Sequence, residues 1–334
     1  MPVVAARAQE ITPPNSRTMP EPRRRIEVAA AVIHDVAGRF LLAQRPPGKA
    51  FEGYWEFPGG KVEPGESATA AVCRELHEEL GIAVDTNTVC PWLTRDFEYP
   101  HAAVRLRFFR IYQWRGEPHG REGQRFAWQT ADALSVAPIL PANGPILRAL
   151  ELPDVYGITQ AATMGIDAFN MKLEAALKRG LRLIQVREKT LRADVLRQFA
   201  THVVTLSHRH GARVLINGDV QLARESGADG VHLTAAQLQS LTQRPDCAWV
   251  AASCHNRAEI EAATRLGADF AVAGPVAATP THPDAPLLGW QGFAHCVADT
   301  AIPVYALGGM QMQDLVDARG AGAQGVAMLR GAWA

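Results

Sequence analysis

Three glutamates are spaced so that a helix would place their carboxylates side by side. Glu75, Glu78 and Glu79 stand at positions i, i+3 and i+4 of a segment with helical periodicity, and residues at these offsets share one face of an α-helix. Like charges at this spacing destabilise an isolated helix by about 0.2–0.5 kcal/mol per pair, and a cation beside the face would turn that cost into a gain. Because carboxylate oxygens are hard ligands, the pattern favours Mg²⁺, with Mn²⁺ as an alternative. Taken alone, the same pattern also fits a solvated acidic helix.

The residues around these glutamates predict a loop, a helix and a turn. Gly60 lets the backbone approach a ligand or a metal ion closely, and Ser67 is placed to cap the helix. Gly81 can end the helix, because a left-handed turn there needs a residue without a Cβ. We also expect Glu66 to orient Arg74 across the loop and the helix.

The whole stretch from Gly59 to Ile82 resembles the Nudix box, G-x5-E-x7-R-E-U-x-E-E-x-G-U, in which U is apolar. Every fixed position of that motif is matched in this chain, by Gly60, Glu66, Arg74, Glu75, Leu76, Glu78, Glu79, Gly81 and Ile82. So many fixed positions rarely coincide by chance. The resemblance implies a Nudix hydrolase in which the three box glutamates and the Gly60 carbonyl hold metal ions, while Glu66 and Arg74 are structural.

Features outside the box are similar to the MutT-type oxidised-guanine triphosphatases. A Glu-Gly-Gln loop at 122–124 implies that Glu122 joins the metal site or acts as the base. A Pro-Ala-Asn segment implies that Asn143 pairs with the base edge, since one amide offers a purine both a donor and an acceptor. Arg45 and Phe57 match positions that line the base pocket. Each also has a structural alternative: a helix cap for Asn143, a surface cation for Arg45 and a core aromatic for Phe57.

Length, charge and cysteine usage limit the classes of function. The chain has 334 residues with 34 Lys+Arg and 34 Asp+Glu, so its formal net charge is zero. Two domains are expected at this length, and a neutral chain favours a small anionic substrate with a metal counter-ion over long nucleic acid. The five cysteines form no CxxC pair, and no apolar run is long enough to span a membrane. We therefore predict a cytoplasmic protein with reduced thiols and no membrane partner.

The order of predicted elements divides the chain into two halves of α/β class. Residues 1–24 are expected to be a disordered lead-in, and residues 25–152 a Nudix domain with an α/β/α sandwich fold. In residues 155–334, eight short buried strands alternate with helices, which predicts a (β/α)8 TIM-type barrel that lacks its last helix. The connector Glu151–Asp154 is too short to be a free tether. We expect the first half to cover the flank of the barrel left open by the missing helix.

A Gly-Ala-Asp element recurs in the second half, directly before predicted strands. It occurs at 227–229 and 267–269, and Gly-Ala-Gln at 322–324 is a variant. The element has the position of a loop that leads from a helix into a strand. Active sites of such barrels lie at the other end, where the strands finish.

The second half resembles thiamine-phosphate synthase and its thiazole tautomerase relative. That resemblance implies phosphate-binding or ligand-binding roles for ten residues: Arg187, Lys189, Asn217, Asp229, Ser253, His255, Thr279, Thr281, Gly308 and Gly309. Asp229 would be a metal carboxylate, and the two glycines would cradle a phosphate with their backbone N–H groups. His255 would be the proton shuttle for a tautomerisation.

Three departures from the synthase pattern bear on the barrel's activity. Gly218 stands where the synthase has a metal carboxylate, His282 replaces a Lys, and Arg330 replaces a Ser. Losing a metal carboxylate removes charge stabilisation that departure of a pyrophosphate needs. We therefore expect the barrel to have lost full synthase activity while still binding a thiazole or pyrimidine phosphate.

The favoured function is an Mg²⁺-dependent hydrolysis of an oxidised purine nucleoside triphosphate, 8-oxo-dGTP, to monophosphate and pyrophosphate. Two alternatives stay open at this point. In the first, the barrel is an active thiamine-phosphate synthase or tautomerase, and the Nudix half removes damaged pyrophosphates of the same pathway. In the second, the barrel is a non-catalytic binding module.

Overall fold

The computed structural model describes residues 25–99, 102–121, 123–279 and 286–334. Of the residues singled out in the sequence, Glu122, Thr281, His282 and the lead-in 1–24 lie outside these ranges. Within them, the amino-terminal half forms a four-stranded and a three-stranded sheet. The larger sheet contains β1 (Arg25–Ile33), β4 (Gly59–Lys61), β5 (Cys90–Tyr99) and β6 (Ala102–Ile111). The smaller sheet contains β2 (Phe40–Gln44), β3 (Trp55–Glu56) and β7 (Phe126–Gln129).

The two edge strands of the larger sheet make different contacts. The order is β4-β1-β6-β5, with β1 antiparallel to β4 and parallel to β6. The Gly-Gly pair of the box therefore lies on one edge strand, β4. The opposite edge strand, β5, carries a different set of contacts, described below.

Successive residues of β1 face opposite sides of the larger sheet, and each side carries a helix. Ala29 and its neighbours on the same face pack in one cluster with α1 (Ala68–Leu80). Val32 faces the other side and packs in a second cluster with Ile146 of α2 (Gly144–Leu150). This alternation is the period of two that a strand imposes. The predicted sandwich of a sheet between helices is confirmed.

Both predicted ends of α1 are formed as the sequence indicates. The Ser67 hydroxyl accepts a hydrogen bond from the Ala70 N–H at 3.1 Å, which satisfies one free donor of the first turn. Gly81 has φ of 68°, and its N–H donates to the His77 carbonyl. Buried Val72, Leu76 and Leu80 fix the side of the helix that faces the sheet. The glutamates therefore lie away from this apolar side.

The second half of the described chain is a closed barrel of eight parallel strands. The strands are β8 (Val155–Ile158), β9 (Leu183–Val186), β10 (Arg213–Asn217), β11 (Gly230–Leu233), β12 (Trp249–Cys254), β13 (Phe270–Ala273), β14 (Val304–Leu307) and β15 (Gly325–Met328). The helices are α3 (Ala161–Met164), α4 (Ile166–Lys178), α5 (Ala193–Arg209), α6 (Val220–Ser226), α7 (Ala235–Ser240), α8 (Arg257–Leu266), α9 (Gly289–Val297) and α10 (Leu315–Gly320). Pairing of β15 with β8 closes the barrel. The predicted TIM-type barrel is confirmed.

The barrel has one apolar cluster inside the ring of strands and another outside it. The inner cluster includes Tyr156, Trp249, Phe270 and Tyr305, whose rings fill the interior. The outer cluster joins the other face of the strands to the helices. Since both faces of each strand are buried, the strands read as short continuous apolar runs in the sequence.

A tryptophan packs beside β8, at the flank of the barrel that was expected to be open. After β15 the chain makes a 3₁₀ turn at Gly331–Trp333. The Trp333 ring is buried against Phe169 of α4, with centroids 4.8 Å apart, and its indole N–H donates to the Ile158 carbonyl at 2.8 Å. The expectation that the amino-terminal half covers this flank is wrong, because the chain closes it with its own indole.

The amino-terminal half instead packs against the end of the barrel where the strands begin. Leu152 of the connector is buried in the inner cluster of the barrel. The Arg148 guanidinium of α2 lies 3.4 Å from the centre of the Trp249 ring, at the start of β12. Arg213, at the start of β10, is paired with Glu151 at 2.8 Å. The connector therefore closes the floor of the barrel.

Two further observations concern the helices and the cysteines. Within the described ranges, no helix is both long and apolar enough to cross a membrane. All five cysteines are free thiols.

Candidate functional site

The box glycines allow the backbone of β4 to lie against α1 and β1. A Cβ added to Gly60 would lie 2.1 Å from a carboxylate oxygen of Glu75. A Cβ on Gly59 would lie 2.1 Å from the Ala29 carbonyl oxygen, and Gly59 has φ of 146°. Any larger residue would therefore displace either Glu75 or the strand pairing.

Arg74 holds the loop and the helix of the box together. Its guanidinium donates to Glu66 at 3.0 and 3.1 Å and to the Lys61 carbonyl at 3.1 Å. It also donates to Glu75 at 2.9 Å and to Glu78 at 3.0 Å. This planar cation thus fixes the loop and sets the position of two box carboxylates.

Glu79 is the box carboxylate with the most unfavourable surroundings for a negative charge. Burial, and then the charges of Glu75 and Glu56, raise its pKa to about 7, although the Gly59 N–H donates to it at 3.3 Å. A cation beside Glu75 and Glu79 would relieve this repulsion. The local chemistry therefore fits a bound hard cation.

The three box carboxylates are held by two different donors. Glu75 and Glu78 both accept hydrogen bonds from Arg74 Nη1, at 2.9 and 3.0 Å, and Glu78 is half exposed. Glu79 accepts instead from the Gly59 N–H. Among the residues that the structure describes, no group of three or more His, Cys, Asp or Glu side chains is arranged to hold a metal ion. The metal site of three glutamates therefore stays a prediction.

The barrel carries a chain of polar side chains that leads from its interior to the end of β12. The Tyr156 hydroxyl lies 3.1 Å from His232 Nδ1, and His232 Nε2 lies 2.9 Å from the Ser253 hydroxyl. Burial, together with the nearby charge of Arg187, lowers the pKa of His232 to about 3. This imidazole is therefore neutral at physiological pH, and it fixes Ser253 at the mouth of the barrel.

Comparison with known proteins assigns each half to a family. The profile of the NUDIX domain matches residues 23–150, and the profile named thiamine monophosphate synthase matches residues 155–332. An 8-oxo-dGTP diphosphatase of Haemophilus influenzae is 39% identical over 125 residues, which are 37% of this chain and 90% of that protein. A thiamine-phosphate synthase of Caldivirga maquilingensis is 32% identical over 184 residues, 53% of this chain and 87% of that protein.

The chain belongs to both families. Its amino-terminal half is a Nudix hydrolase domain, and its barrel is a thiamine-phosphate synthase domain. An 8-oxo-dGTP diphosphatase of Escherichia coli is also similar to the Nudix half, with 32% identity over 128 residues, 38% of this chain and 98% of that protein. Nudix hydrolases generally depend on a divalent metal ion, which agrees with the oxygen donors beside Gly60.

The side chains expected to line the Nudix base pocket have different surroundings from one another. Main-chain hydrogen bonds of Trp55 to residues 138 and 140 hold the turn Pro141–Asn143 beside β3. Asn143 is buried there and does not cap α2 with its side chain. Within the described ranges, its Nδ2 has no hydrogen-bond partner. The helix-cap alternative is therefore excluded for this arrangement, and the amide is a buried donor without a partner among the described residues.

Arg45 and Phe57 are committed to contacts within the protein. Arg45 donates to Glu56 at 2.6 and 2.7 Å and to the Ala50 carbonyl at 2.6 Å. Phe57 is 3% exposed and packs against the rings of Phe40 and Phe108. The Phe57 ring therefore takes the core role, and Arg45 fixes the loop that follows β2.

The loop that contains Glu122 is attached to the end of α1 on both sides of that residue. The Arg121 N–H and the Gln124 side-chain amide both donate to the Glu79 carbonyl, at 2.9 Å each. His119 N–H donates to the Leu80 carbonyl at 3.0 Å. Glu122 itself lies outside the described residues, but its neighbours are held at the box helix.

Asp229 is not at the mouth of the barrel, which corrects the expected metal role. It directly precedes β11 and accepts hydrogen bonds from the Val214 N–H at 2.7 Å and from His208 at 2.9 Å. The Gly-Ala-Asp element leads into a strand, so its Asp lies where strands begin. A ligand at the carboxyl ends of the strands is at the opposite end of the barrel.

The described part of the mouth has a glycine, Gly218, where the synthase has a metal carboxylate. The Gly218 carbonyl accepts a hydrogen bond from the Gln237 amide at 2.7 Å. Asp219, the next residue after Gly218, caps α6 by accepting from the Leu222 N–H at 2.8 Å. Its carboxylate is therefore committed to the start of α6.

The remaining barrel residues follow the ends of strands, as predicted. Arg187 and Lys189 follow β9, Asn217 ends β10, and Ser253 lies in β12. His255 is exposed after β12 and lies 3.0 Å from Glu259 through Nδ1. Thr279 is partly buried in the loop after β13, and Thr281 lies outside the described residues.

Gly308 and Gly309 follow β14 in backbone conformations that favour glycine. Their φ angles are 103° and 70°. A Cβ at Gly308 would lie 2.7 Å from the Pro275 Cα. Glycine is therefore required there by a close approach of two chain segments, whichever ligand the barrel binds.

Sequence reasoning missed Glu56, Tyr156, His232 and Gln237. Glu56 ends β3 and stands between buried Trp55 and buried Phe57, and this alternation was a signal that its side chain faces the other side. His232 was hidden in the apolar run of β11, where a single polar residue is a sign of a buried hydrogen bond. Gln237 is one turn into α7, so only the fold brings it to Gly218.

Proposed function

We propose that the Nudix domain hydrolyses an oxidised purine deoxynucleoside triphosphate, 8-oxo-dGTP, to the monophosphate and pyrophosphate, with Mg²⁺ as the metal ion. The observation that carries the proposal is the buried Asn143 amide, whose Nδ2 has no partner among the described residues. An unpaired buried donor costs about 1–3 kcal/mol. A base edge that accepts a hydrogen bond would recover that cost. The similarity to two diphosphatases of this substrate supports the same assignment.

The metal site of this proposal consists of Glu75, Glu79 and the Gly60 carbonyl, with Glu78 and Glu122 as further carboxylates. When bound, the ion would neutralise charge on the phosphates and make a water molecule more acidic. Arg74 orients Glu75 and Glu78. Without the ion, burial and the charge of Glu75 raise the pKa of the Glu79 carboxyl to about 7. A bound cation would favour the charged form of this ligand.

The base assignment is tested by removing the Asn143 amide. Asn143→Ala should lower kcat/KM for 8-oxo-dGTP by about 5- to 150-fold, the equivalent of one lost buried hydrogen bond. The kcat/KM for dGTP should change much less. Asn87→Ala removes an exposed amide far along the chain and serves as the matched control. Equal losses for both nucleotides in Asn143→Ala would assign the residue a structural role and contradict the proposal.

A second proposal concerns the barrel: it binds a thiazole or pyrimidine phosphate but does not complete the synthase reaction. It is supported by the mouth residues Arg187, Lys189 and Ser253, which offer a cationic and polar site. It is supported equally by Gly218, which cannot supply a metal carboxylate. Without that carboxylate, a metal ion that would stabilise the departing pyrophosphate is poorly held.

Titration calorimetry and a condensation assay on the full chain separate binding from synthesis. We expect the thiazole phosphate to bind with an affinity that EDTA does not change, and no thiamine phosphate to form from it and the pyrimidine pyrophosphate. Arg187→Ala should abolish the binding, whereas Arg192→Ala, an exposed cation nearby, should not. Formation of thiamine phosphate at a steady rate would instead support the active-synthase alternative.

A further inference from the structure

The three Gly-Ala-x elements of the barrel do not do the same thing with their last residue. Asp229 accepts the Val214 N–H at 2.7 Å, and Asp269 accepts the Val250 N–H at 2.7 Å. In both cases the carboxylate joins a strand to the loop before the next strand. These hydrogen bonds lie within the barrel, although the Asp269 carboxylate also lies 3.7 Å from Arg148 of α2.

Gln324, in the third element, makes its side-chain bonds outside the barrel strands. Its Oε1 accepts from the Trp92 indole at 3.1 Å and from Arg110 at 3.0 Å, and its Nε2 donates to the Leu152 carbonyl at 2.8 Å. Its own carbonyl accepts a second bond from Arg110 at 2.9 Å. Gln324 is fully buried, at 0% exposure. It therefore joins β5, β6 and the connector to the start of β15.

The departure from Asp to Gln at this position has a chemical reason. Two Nudix side chains need an acceptor here, while the Leu152 carbonyl needs a donor. A carboxylate has no donor at neutral pH, whereas a primary amide has both. The sequence variant therefore matches the contacts of this one loop with the other half of the chain.

Further contacts between the same two strands and barrel loops surround this position. The Arg110 guanidinium is buried and lies 4.3 Å from the centre of the Trp92 ring. The Thr94 N–H donates to the Thr300 carbonyl at 2.8 Å, and Arg95 donates to the Ala301 carbonyl at 2.9 Å. Arg107 of β6 is paired with Asp299 of the barrel. These hydrogen bonds and ion pairs form only when the halves are together.

We infer that the end of the barrel around Gln324 is a permanent docking surface for strands β5 and β6 of the Nudix half, so that the two halves unfold as one unit. Since β4 and β5 are opposite edges of the Nudix sheet, the box lies on the edge away from this surface. The barrel mouth lies at the other end of its strands. The two sites therefore open away from each other, and a product of one reaches the other only through solvent.

The test uses the full chain and one buried substitution. In Gln324→Leu the side chain keeps a similar volume but removes the partners of Arg110 Nη2, the Trp92 indole and the Leu152 carbonyl, while Arg110 Nη1 keeps the backbone carbonyl of residue 324. We expect the single thermal transition of the wild type to split into two, and proteolysis at the connector to become at least about tenfold faster, because three buried hydrogen bonds between the halves are lost. Nudix turnover should be retained, because the box is on the far edge.

Asp229→Asn is the matched control, since it weakens a bond at the same end of the barrel without touching the Nudix half. It should lower the transition temperature but keep one transition and a protected connector. A single transition and an unchanged cleavage rate in Gln324→Leu would overturn the inference. If Gln324→Leu does not fold, amide hydrogen exchange of the wild-type protein provides the test. Exchange of the Thr94 N–H as slow as that of the N–H groups in the barrel core supports permanent docking, whereas fast exchange overturns it.

Discussion

Two side chains of the Nudix half, one partly buried and one buried, lack partners that would stabilise their polar groups. Glu79 lies beside the carboxylates of Glu75 and Glu56, and the Asn143 Nδ2 has no partner among the described residues. Native proteins satisfy nearly all buried polar groups, so exceptions indicate places where a ligand supplies the missing partner. Here one exception suits a cation and the other a base edge, which agrees with a metal-dependent nucleotide hydrolase.

Replacing Glu79 should reduce turnover but stabilise the metal-free protein. The raised pKa means that the folded protein binds this proton more tightly than the unfolded chain. The resulting stability is fully present below about pH 4.5, the ordinary value for Glu, and is lost as the pH rises through about 7. In EDTA, Glu79→Gln should therefore raise Tm at pH 8 and leave it nearly unchanged at pH 4. Turnover with Mg²⁺ should fall by orders of magnitude.

Scanning calorimetry at the two pH values checks the stability part of this prediction. Glu63→Gln, at an exposed loop position before the helix, is the control and should show neither effect. A Tm gain for Glu79→Gln that is equal at both pH values would contradict the electrostatic cause. Near-normal turnover in that variant would remove Glu79 from the site.

At the residue scale the sequence could predict the box but not the direction of every side chain. Contacts of Gly60, Glu66 and Arg74 agree with the spacing of the motif. Phe57 and Asp229 were assigned to ligands by resemblance, yet one ring is buried in the core and the other side chain lies at the wrong end of the barrel. A motif specifies which residues are near each other in the sequence. Whether Phe57 or Asp229 can reach a ligand depends instead on the face of the sheet or the end of the barrel at which the side chain lies.

Among the elements, α1 positions the whole box, and its first turn is a separate source of stability. Replacing Ser67 by Ala removes the acceptor of the Ala70 N–H. We expect this change to lower the free energy of unfolding by about 1 kcal/mol. Ser67→Asp keeps an acceptor at the same position and should retain stability close to that of the wild type. Urea denaturation of the three proteins measures the difference, and equal midpoints would contradict the capping role.

The elements were the most predictable part of the fold, because each follows from local pattern. Ser67 and Gly81 marked the ends of α1, and the apolar runs marked the eight barrel strands. The short turn that places Trp333 beside β8 was not predictable. Its position depends on a contact with residues about 170 positions earlier, and no local pattern encodes a partner at that separation.

For the whole molecule, the sequence indicated two halves in fixed contact but gave the wrong surface. The short connector was the correct signal, since Leu152 is buried in the floor of the barrel. The missing helix suggested an open flank, which the chain fills itself. At the surface where the two halves meet, the sequence differs from its related elements by having Gln324 in place of Asp. The reason for this difference is clear only when the hydrogen-bond partners of Gln324 are known.

The most direct test of the central claim is a pyrophosphate-release assay on the full chain with Mg²⁺. The panel contains 8-oxo-dGTP, dGTP, thiamine pyrophosphate and the pyrimidine pyrophosphate, each with and without EDTA. Our account predicts a kcat/KM for 8-oxo-dGTP well above that for dGTP, release of monophosphate and pyrophosphate, and no reaction in EDTA. Preference for either thiamine-type pyrophosphate, or equal rates for the oxidised and plain nucleotides, would contradict it.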